Sequence, residues 1–316
     1  MVASMRELFG DGAAVQSASD NKYGLRPVGY RLPDATSIRA VTLQVSDLTR
    51  SLAFYEGTLG FRPINVGESR VTLGAAGSST PLVRLIENRA GARRTPKQTL
   101  GLYHVAVLLP TRSDLGRFLT HLELTGVRAG AGDHLVSEAL YLQDPDNLGI
   151  EVYADRPRST WRRRSAELVM ATDALDIRAL VAAGGAEPWA GMPAGTTIGH
   201  VHLHVGDLAQ AARFYAEAIG FDRMVWSYPS ALFMAAGGYH HHLGTNTWAG
   251  PDAMSAEPDA PQLLEWVLEV PSLDDVTQAA ASVRANGFAV DASDAELLTR
   301  DPWGTTLRIA AAPSAP

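Results

Sequence analysis

Alternating apolar and polar residues recur four times along the chain, each time followed by an apolar face at helical spacing. One such segment runs from Ile38 through Val45 to Asp47, then Leu52, Phe54 and Tyr55, and ends at Leu59-Gly60-Phe61. A second runs from Ile198 through Val205 to Asp207, then Ala211, Phe214 and Tyr215, and ends at Ile219-Gly220-Phe221. The two correspond element for element, 160 residues apart. Weaker copies start at Tyr103-His104 and at Glu265-Trp266, with helical stretches at Leu115–Leu124 and Leu273–Val283. Period-two alternation predicts a half-buried strand, a following Asp, Ser or Thr predicts a helix N-cap, and the Gly after each apolar face predicts its end. Short apolar runs split by Gly, Asp-Pro or Asn complete each copy as further strands. Asp144-Pro-Asp-Asn147 and Asp301-Pro-Trp-Gly304 are matching turns before the last strand of copies two and four. The chain therefore reads as α+β, a βαβββ unit of about 50 residues repeated four times.

These repeats divide the sequence into an N-terminal tail (1–35), modules one and two (36–155), a linker (156–196) and modules three and four (197–316). The linker holds Arg162-Arg-Arg164, which reads as a solvated face, an apolar piece from Leu168 to Leu180 and a Gly/Pro-rich run to Pro193. The last residues, Ala310–Pro316, are expected to fray.

Composition narrows the chemistry. With 316 residues, the chain has room for about two domains of roughly 100–200 residues each. It has no cysteine, so disulfides, thiolate nucleophiles and Cys-ligated zinc or iron–sulfur sites are excluded, and any metal is expected on His and carboxylate. A net charge of −7 argues against nucleic acid as a partner. No apolar run approaches about 18 residues, which argues against a membrane span. The segment Met1–Gly24 lacks the apolar core of a signal peptide, so a cytoplasmic protein is expected. A homo-oligomer stays open.

The nine histidines matter because of where they fall. At the first-strand position the four copies carry Ala40, His104, His200 and Glu265. At the last-strand position copy two carries Glu151 and copy four Arg308, while Arg84 and the His240–His242 run fall near it in copies one and three. Only copies two and three carry a metal-competent set, because Arg is no ligand for a divalent ion. Glu151 lies between Ile150 and Val152, where an unpaired charge is costly. His104, His200 and Glu151 make a two-histidine, one-carboxylate set of the kind that holds Fe(II), or Mn(II), with open coordination positions. The plainer reading of a lone strand histidine is a hydrogen-bonded core residue, and the recurrence at equivalent positions weighs against it. By alternation, His202 and His204 share the face of His200, with His202 projecting into the cavity and His204 structural. Glu265 and Arg308, with Arg84, read as an ion pair. His121 reads as a surface residue.

Four βαβββ modules with these signatures resemble the vicinal oxygen chelate superfamily of glyoxalases, bleomycin-resistance proteins and type I extradiol dioxygenases. Within it, Gly101–Pro110, Asp133–Trp161 and Gly237–Trp248 resemble bacterial catechol 2,3-dioxygenase-type ring-cleaving proteins. The resemblance implies two domains with curved mixed sheets, and modules that face each other in pairs across a cavity. The ligand pattern then fits pairing of module two with module three. It also implies Fe(II) as cofactor, and O2 and a small aromatic diol as substrates. Tyr141 matches an active-site tyrosine. His134 matches a loop histidine whose following glycine is here Leu135, and Asn147 stands where that family's turn has glycine. A catalytic acid/base histidine is expected within Tyr239–Gly244: likeness to the family motif favours His241, whereas repeat alignment favours His242, which could instead be a fourth ligand. Tyr239 and Trp248 are candidate pocket walls. A glyoxalase-type lyase or isomerase on Ni(II) or Zn(II) would want four ligands including two carboxylates. A metal-free binding protein of the bleomycin-resistance kind would have lost the ligand positions in every module.

Overall fold

In the computed structural model, which describes residues 15–19, 23–90, 99–293 and 295–313, each module opens with a strand: Ser37–Val45, Thr99–Leu108, Thr197–His204 and Gln262–Val270. Each strand hands over to a helix through a capping side chain. Asp47, Thr111, Asp207 and Ser272 accept the backbone N–H of Arg50, Asp114, Gln210 and Asp275, which satisfies donors that the first helical turn leaves open. The helices of modules one and three pass into π turns, Ala53–Thr58 and Ala212–Ala218, whereas Arg112–Thr125 and Leu273–Ala285 are regular.

Each module closes with a strand running parallel to its own opening strand: Val83–Glu87, Gly149–Asp155, Leu243–Asn246 and Thr306–Ala311. The opening strands then pair antiparallel across modules, two with three and one with four, and Ile198 pairs with Ile38 between the two sets. The result is the α+β fold of curved mixed sheets expected from the repeat. The Asp-Pro turns brace one module on another. Tyr55 of module one donates its hydroxyl to Asp144 at 3.3 Å, and Tyr215 of module three donates to Asp301 at 2.8 Å.

The linker has more structure than its composition suggests. Arg162–Arg164 pairs with Gln16–Ser17 of the N-terminal segment and with Glu167–Leu168. The helix Ile177–Gly184 lies against Arg112–Thr125, where Gly116 and Gly184 meet so closely that a Cβ on Gly116 would stand 2.3 Å from the Leu180 carbonyl oxygen. At the C-terminus, Ala310 and Ala311 are paired in strand rather than frayed, and Ser314–Pro316 lie outside the described residues, as does the start of the N-terminal segment. His121 is half-buried against Phe118, not a free surface residue. Among the described residues no helix is long and apolar enough to cross a membrane.

Candidate metal centre

The strand registers bring one set of side chains to a point. His104 lies across from His202, and His200 from Ala106, which pairs in parallel with Glu151. The Nε2 atoms of His104 and His200 are 3.3 Å apart, and Glu151 Oε2 lies 3.0 Å from the first and 3.2 Å from the second. All three side chains are buried. Ligand atoms about 2.1 Å from one ion and at right angles to each other stand about 3.0 Å apart, so this spacing fits three donors on one face of an octahedral metal. Two imidazole nitrogens turned toward each other beside a carboxylate are an arrangement that a shared cation satisfies.

The electrostatics suit that role. Burial alone would push the Glu151 carboxyl up, but His200 and His104 outweigh it and hold it well below the usual carboxylate range. Burial pushes His200 down to about 4 against the attraction of Glu151. At neutral pH His200 is therefore an uncharged imidazole beside a carboxylate, the protonation states that metal binding requires.

The fourth corner of the site corrects one sequence expectation. In module three the position equivalent to Glu151 and Arg308 falls on Gly244, paired with His202, and not within His240–His242. A Cβ on Gly244 would stand 2.8 Å from the His202 ring, so the absent side chain is what gives that ring its place. Module three thus contributes one of the three donors that could hold a metal, and Gly244 adds no fourth.

The triplet resolves into three different surroundings. His241 lines the cavity, its ring 4.0 Å from that of His200. His242 does not; its Nδ1 accepts the Ala236 N–H, and it faces a separate cavity with Arg158, Thr197 and Tyr239. The reading of His242 as an inward residue or fourth ligand is therefore corrected. Alternation fails here because residues 239–242 form an irregular, bent segment and not a strand. Tyr239 is displaced with it, its hydroxyl bonded to Asp155 and Tyr153 and not exposed to the metal cavity. His240 is wholly buried beside Tyr153 and Trp161.

The cavity, about 290 Å³, also includes His202, His134, Tyr141 and Trp248. His134 donates from Nδ1 to the Ala171 carbonyl at 2.8 Å, which leaves its Nε2 to accept the Tyr141 hydroxyl. Leu135 takes φ 69°, the left-handed conformation that favours glycine, and its N–H is held by Asp133. Asn147 likewise has φ 74°. His202 accepts at Nε2 from the Asn246 amide, whose oxygen is occupied by His204 and the Trp248 N–H. Sequence reasoning missed the roof: Met170, Ala171 and Thr172 come from the linker, and Tyr228 and Phe233 from module three. No periodic signal marks the linker residues. Gly244 could have been found by aligning closing strands in parallel register.

In the other half, Arg308 makes a two-pronged ion pair with Glu265, at 2.9 and 3.1 Å, and a further one with Glu296. Arg84, expected beside them, is half-buried on the closing strand of module one, two opening strands away from that of Arg308, and the ion pair forms between Arg308 and the two glutamates.

Comparison with known proteins places the chain in a family. A curated relative, the catechol-2,3-dioxygenase of Bacillus subtilis (strain 168), is 42% identical over 270 residues, spanning 84% of this chain and 94% of that protein. Among solved structures, a protein of Bacillus subtilis subsp. subtilis str. 168 superposes with a TM-score of 0.63 at 15% identity, covering 90% of this chain and 87% of that one. Glyoxalase I from Zea mays does so with a TM-score of 0.53 at 15% identity, covering 88% and 92%. At such identities these two structures speak for the fold alone. The sequence profile of one family matches residues 37–152 and 197–310, the four modules almost end to end, and the chain belongs to that family, the glyoxalase/bleomycin resistance protein/dioxygenase superfamily.

Proposed function

We propose that the protein is an extradiol ring-cleaving dioxygenase that opens a catechol- or hydroquinone-like ring with O2. The observation that carries this reading is a three-donor site, His104, His200 and Glu151, whose fourth corner is Gly244. A glyoxalase-type centre would place a second carboxylate there. The 42% identity to a catechol-2,3-dioxygenase points the same way.

His104, His200 and Glu151 would hold Fe(II), with Mn(II) the alternative that the same donors accept. Held there, the metal would bring diol and O2 together and orient them. His241 lies on the cavity wall beside His200 and accepts the proton of a substrate hydroxyl, the task of a general base. His134 holds the Tyr141 hydroxyl in place, and this pair meets the substrate from the side of module two. His202, on the other side, is held in one orientation by Asn246. Phe233, Tyr228 and Trp248 flank the ring and keep water out. In the overall change both atoms of O2 enter the product and one ring C–C bond beside the diol breaks, so no other oxidant or reductant is consumed.

The test is anaerobic reconstitution with Fe(II), then catechol and air. A yellow ring-fission product with one O2 consumed per catechol is expected. Metal binding without oxygen uptake, combined with isomerisation of a thiohemiacetal on Ni(II) or Zn(II), would overturn the reading in favour of glyoxalase-type chemistry. Cytoplasmic residence is part of the proposal and fits a chain whose described residues contain no membrane-spanning helix.

A further inference from the structure

Behind His241 lies a hydrogen-bonded chain that the reaction as described does not use. Asp155, at the end of the closing strand Gly149–Asp155, accepts at Oδ1 from His240 Nε2 at 2.9 Å and from the Tyr239 hydroxyl at 3.2 Å. The Tyr153 and Tyr239 hydroxyls are 2.7 Å apart. His240 Nδ1 in turn lies 2.7 Å from His241 Nδ1. We propose that Asp155 and His240 are positioning residues that fix the tautomer of His241, leaving its Nε2 as a bare lone pair in the cavity.

Asp155 can only accept, so the hydrogen of His240 sits on Nε2. A neutral imidazole protonated at Nε2 has its lone pair on Nδ1. Two lone pairs do not face each other at 2.7 Å, so with His240 neutral, as the proposal takes it, His241 carries its hydrogen on Nδ1 and none on Nε2. That Nε2 takes no hydrogen-bond partner among the described residues, and the ring lines the metal cavity. His242 shows the alternative. With Nδ1 accepting from Ala236, it must hold its hydrogen on Nε2, and it serves a different cavity.

The chemical meaning of this arrangement rests on the dioxygenase reading; the geometry does not. When the substrate O–H bond breaks and an Nε2–H bond forms, the positive charge on His241 is stabilised through Nδ1–H by His240 and, behind it, by Asp155. This is the logic by which a buried carboxylate orients a catalytic imidazole. The Asp155 side chain is 28% exposed, so the chain ends at the solvent edge.

The experiment is a long-range proton–nitrogen correlation on full-length, metal-free protein labelled with ¹⁵N-histidine. The His241 signals are identified by their loss in His241→Gln. A protonated Nδ1 and a bare Nε2 on His241 are expected; the reverse pattern, or an even mixture, would overturn the proposal. In Asp155→Ala the tautomers of His241 should mix, and in the Fe(II)-loaded enzyme kcat for catechol should fall about 10- to 100-fold while KM changes less than about threefold. An unchanged tautomer and an unchanged kcat in that variant would also overturn it. If Asp155→Ala does not fold, the wild-type spectrum decides alone. A protein with the expected tautomer that consumes no oxygen refutes the dioxygenase reading and leaves the positioning role standing.

Discussion

Where modules two and three meet, the four corner positions set by the strand registers are His104, Glu151, His200 and Gly244. Where modules one and four meet, the same four corners are Ala40, Arg84, Glu265 and Arg308. The backbone frame is shared: antiparallel opening strands, a parallel closing strand beside each, a capped helix behind. What differs is charge. One half gathers two imidazoles and a carboxylate around open space, and the other joins Arg308 to Glu265. All nine histidines fall between residues 104 and 242. The fold is therefore common ground for a candidate metal site and for an ion pair, and the difference between them lies in four residue identities.

The largest expected effect separates the two halves directly. Glu151→Ala should reduce ring-cleaving turnover to background, a loss of about 10³-fold or more, since nothing else supplies the carboxylate ligand. Glu265→Ala should leave kcat within about twofold. It should cost about 1–2 kcal/mol of stability, read as a few degrees in Tm, because Arg308 is partly exposed and keeps Glu296. Equal loss of turnover from both variants would break the comparison.

Next in size is Gly244→Ala. The added Cβ meets ring atoms of His202 that lie close to its own backbone and cannot swing clear. Steady-state kinetics should show kcat down about 10²-fold with metal content unchanged, the scale of a misplaced cavity group. Unaltered kinetics would show that the empty corner has no role.

Acid stability sharpens the contrast further. Burial, with His240 and His200, lowers His242 to about 3 from an ordinary 6.5. Between those values the unfolded chain binds a proton that the folded chain does not. Stability is thus full above about pH 6.5 and falls as the pH drops toward 3, by about 1.4 kcal/mol per pH unit for one such group. In His242→Gln, denaturant unfolding at stepped pH should show a flatter decline over that window. An identical slope in wild type and variant would remove His242 from the account.

The smallest effect concerns the braces between modules. Tyr215→Phe, which removes a 2.8 Å hydrogen bond to Asp301, should lower stability by about 1 kcal/mol. Tyr55→Phe, at 3.3 Å from Asp144, should lower it by less. Denaturant midpoints measure both, and the reverse order would contradict the geometry.

The modules were legible because strand alternation and the caps Asp47, Thr111, Asp207 and Ser272 are local signals, decided within a few residues. His104, His200 and Glu151 were legible because repetition exposed which copies differ at a shared position. Gly244 was not, since its place depends on a parallel pairing across some forty residues that alternation cannot register. The choice within His240–His242 was not, because those residues sit in an irregular, bent segment where period two has no force, and only the fold brings Asp155 to His240. Met170–Thr172 were hidden for a different reason: they roof the cavity from a segment without periodicity.

The central claim is that a single metal site lies between modules two and three and none between one and four. Anaerobic Fe(II) titration of wild type, Glu151→Ala and Glu265→Ala tests it most directly. The account predicts one tightly bound ion per chain in wild type and in Glu265→Ala, and none in Glu151→Ala. Two ions per wild-type chain, or an ion retained in Glu151→Ala, would contradict it.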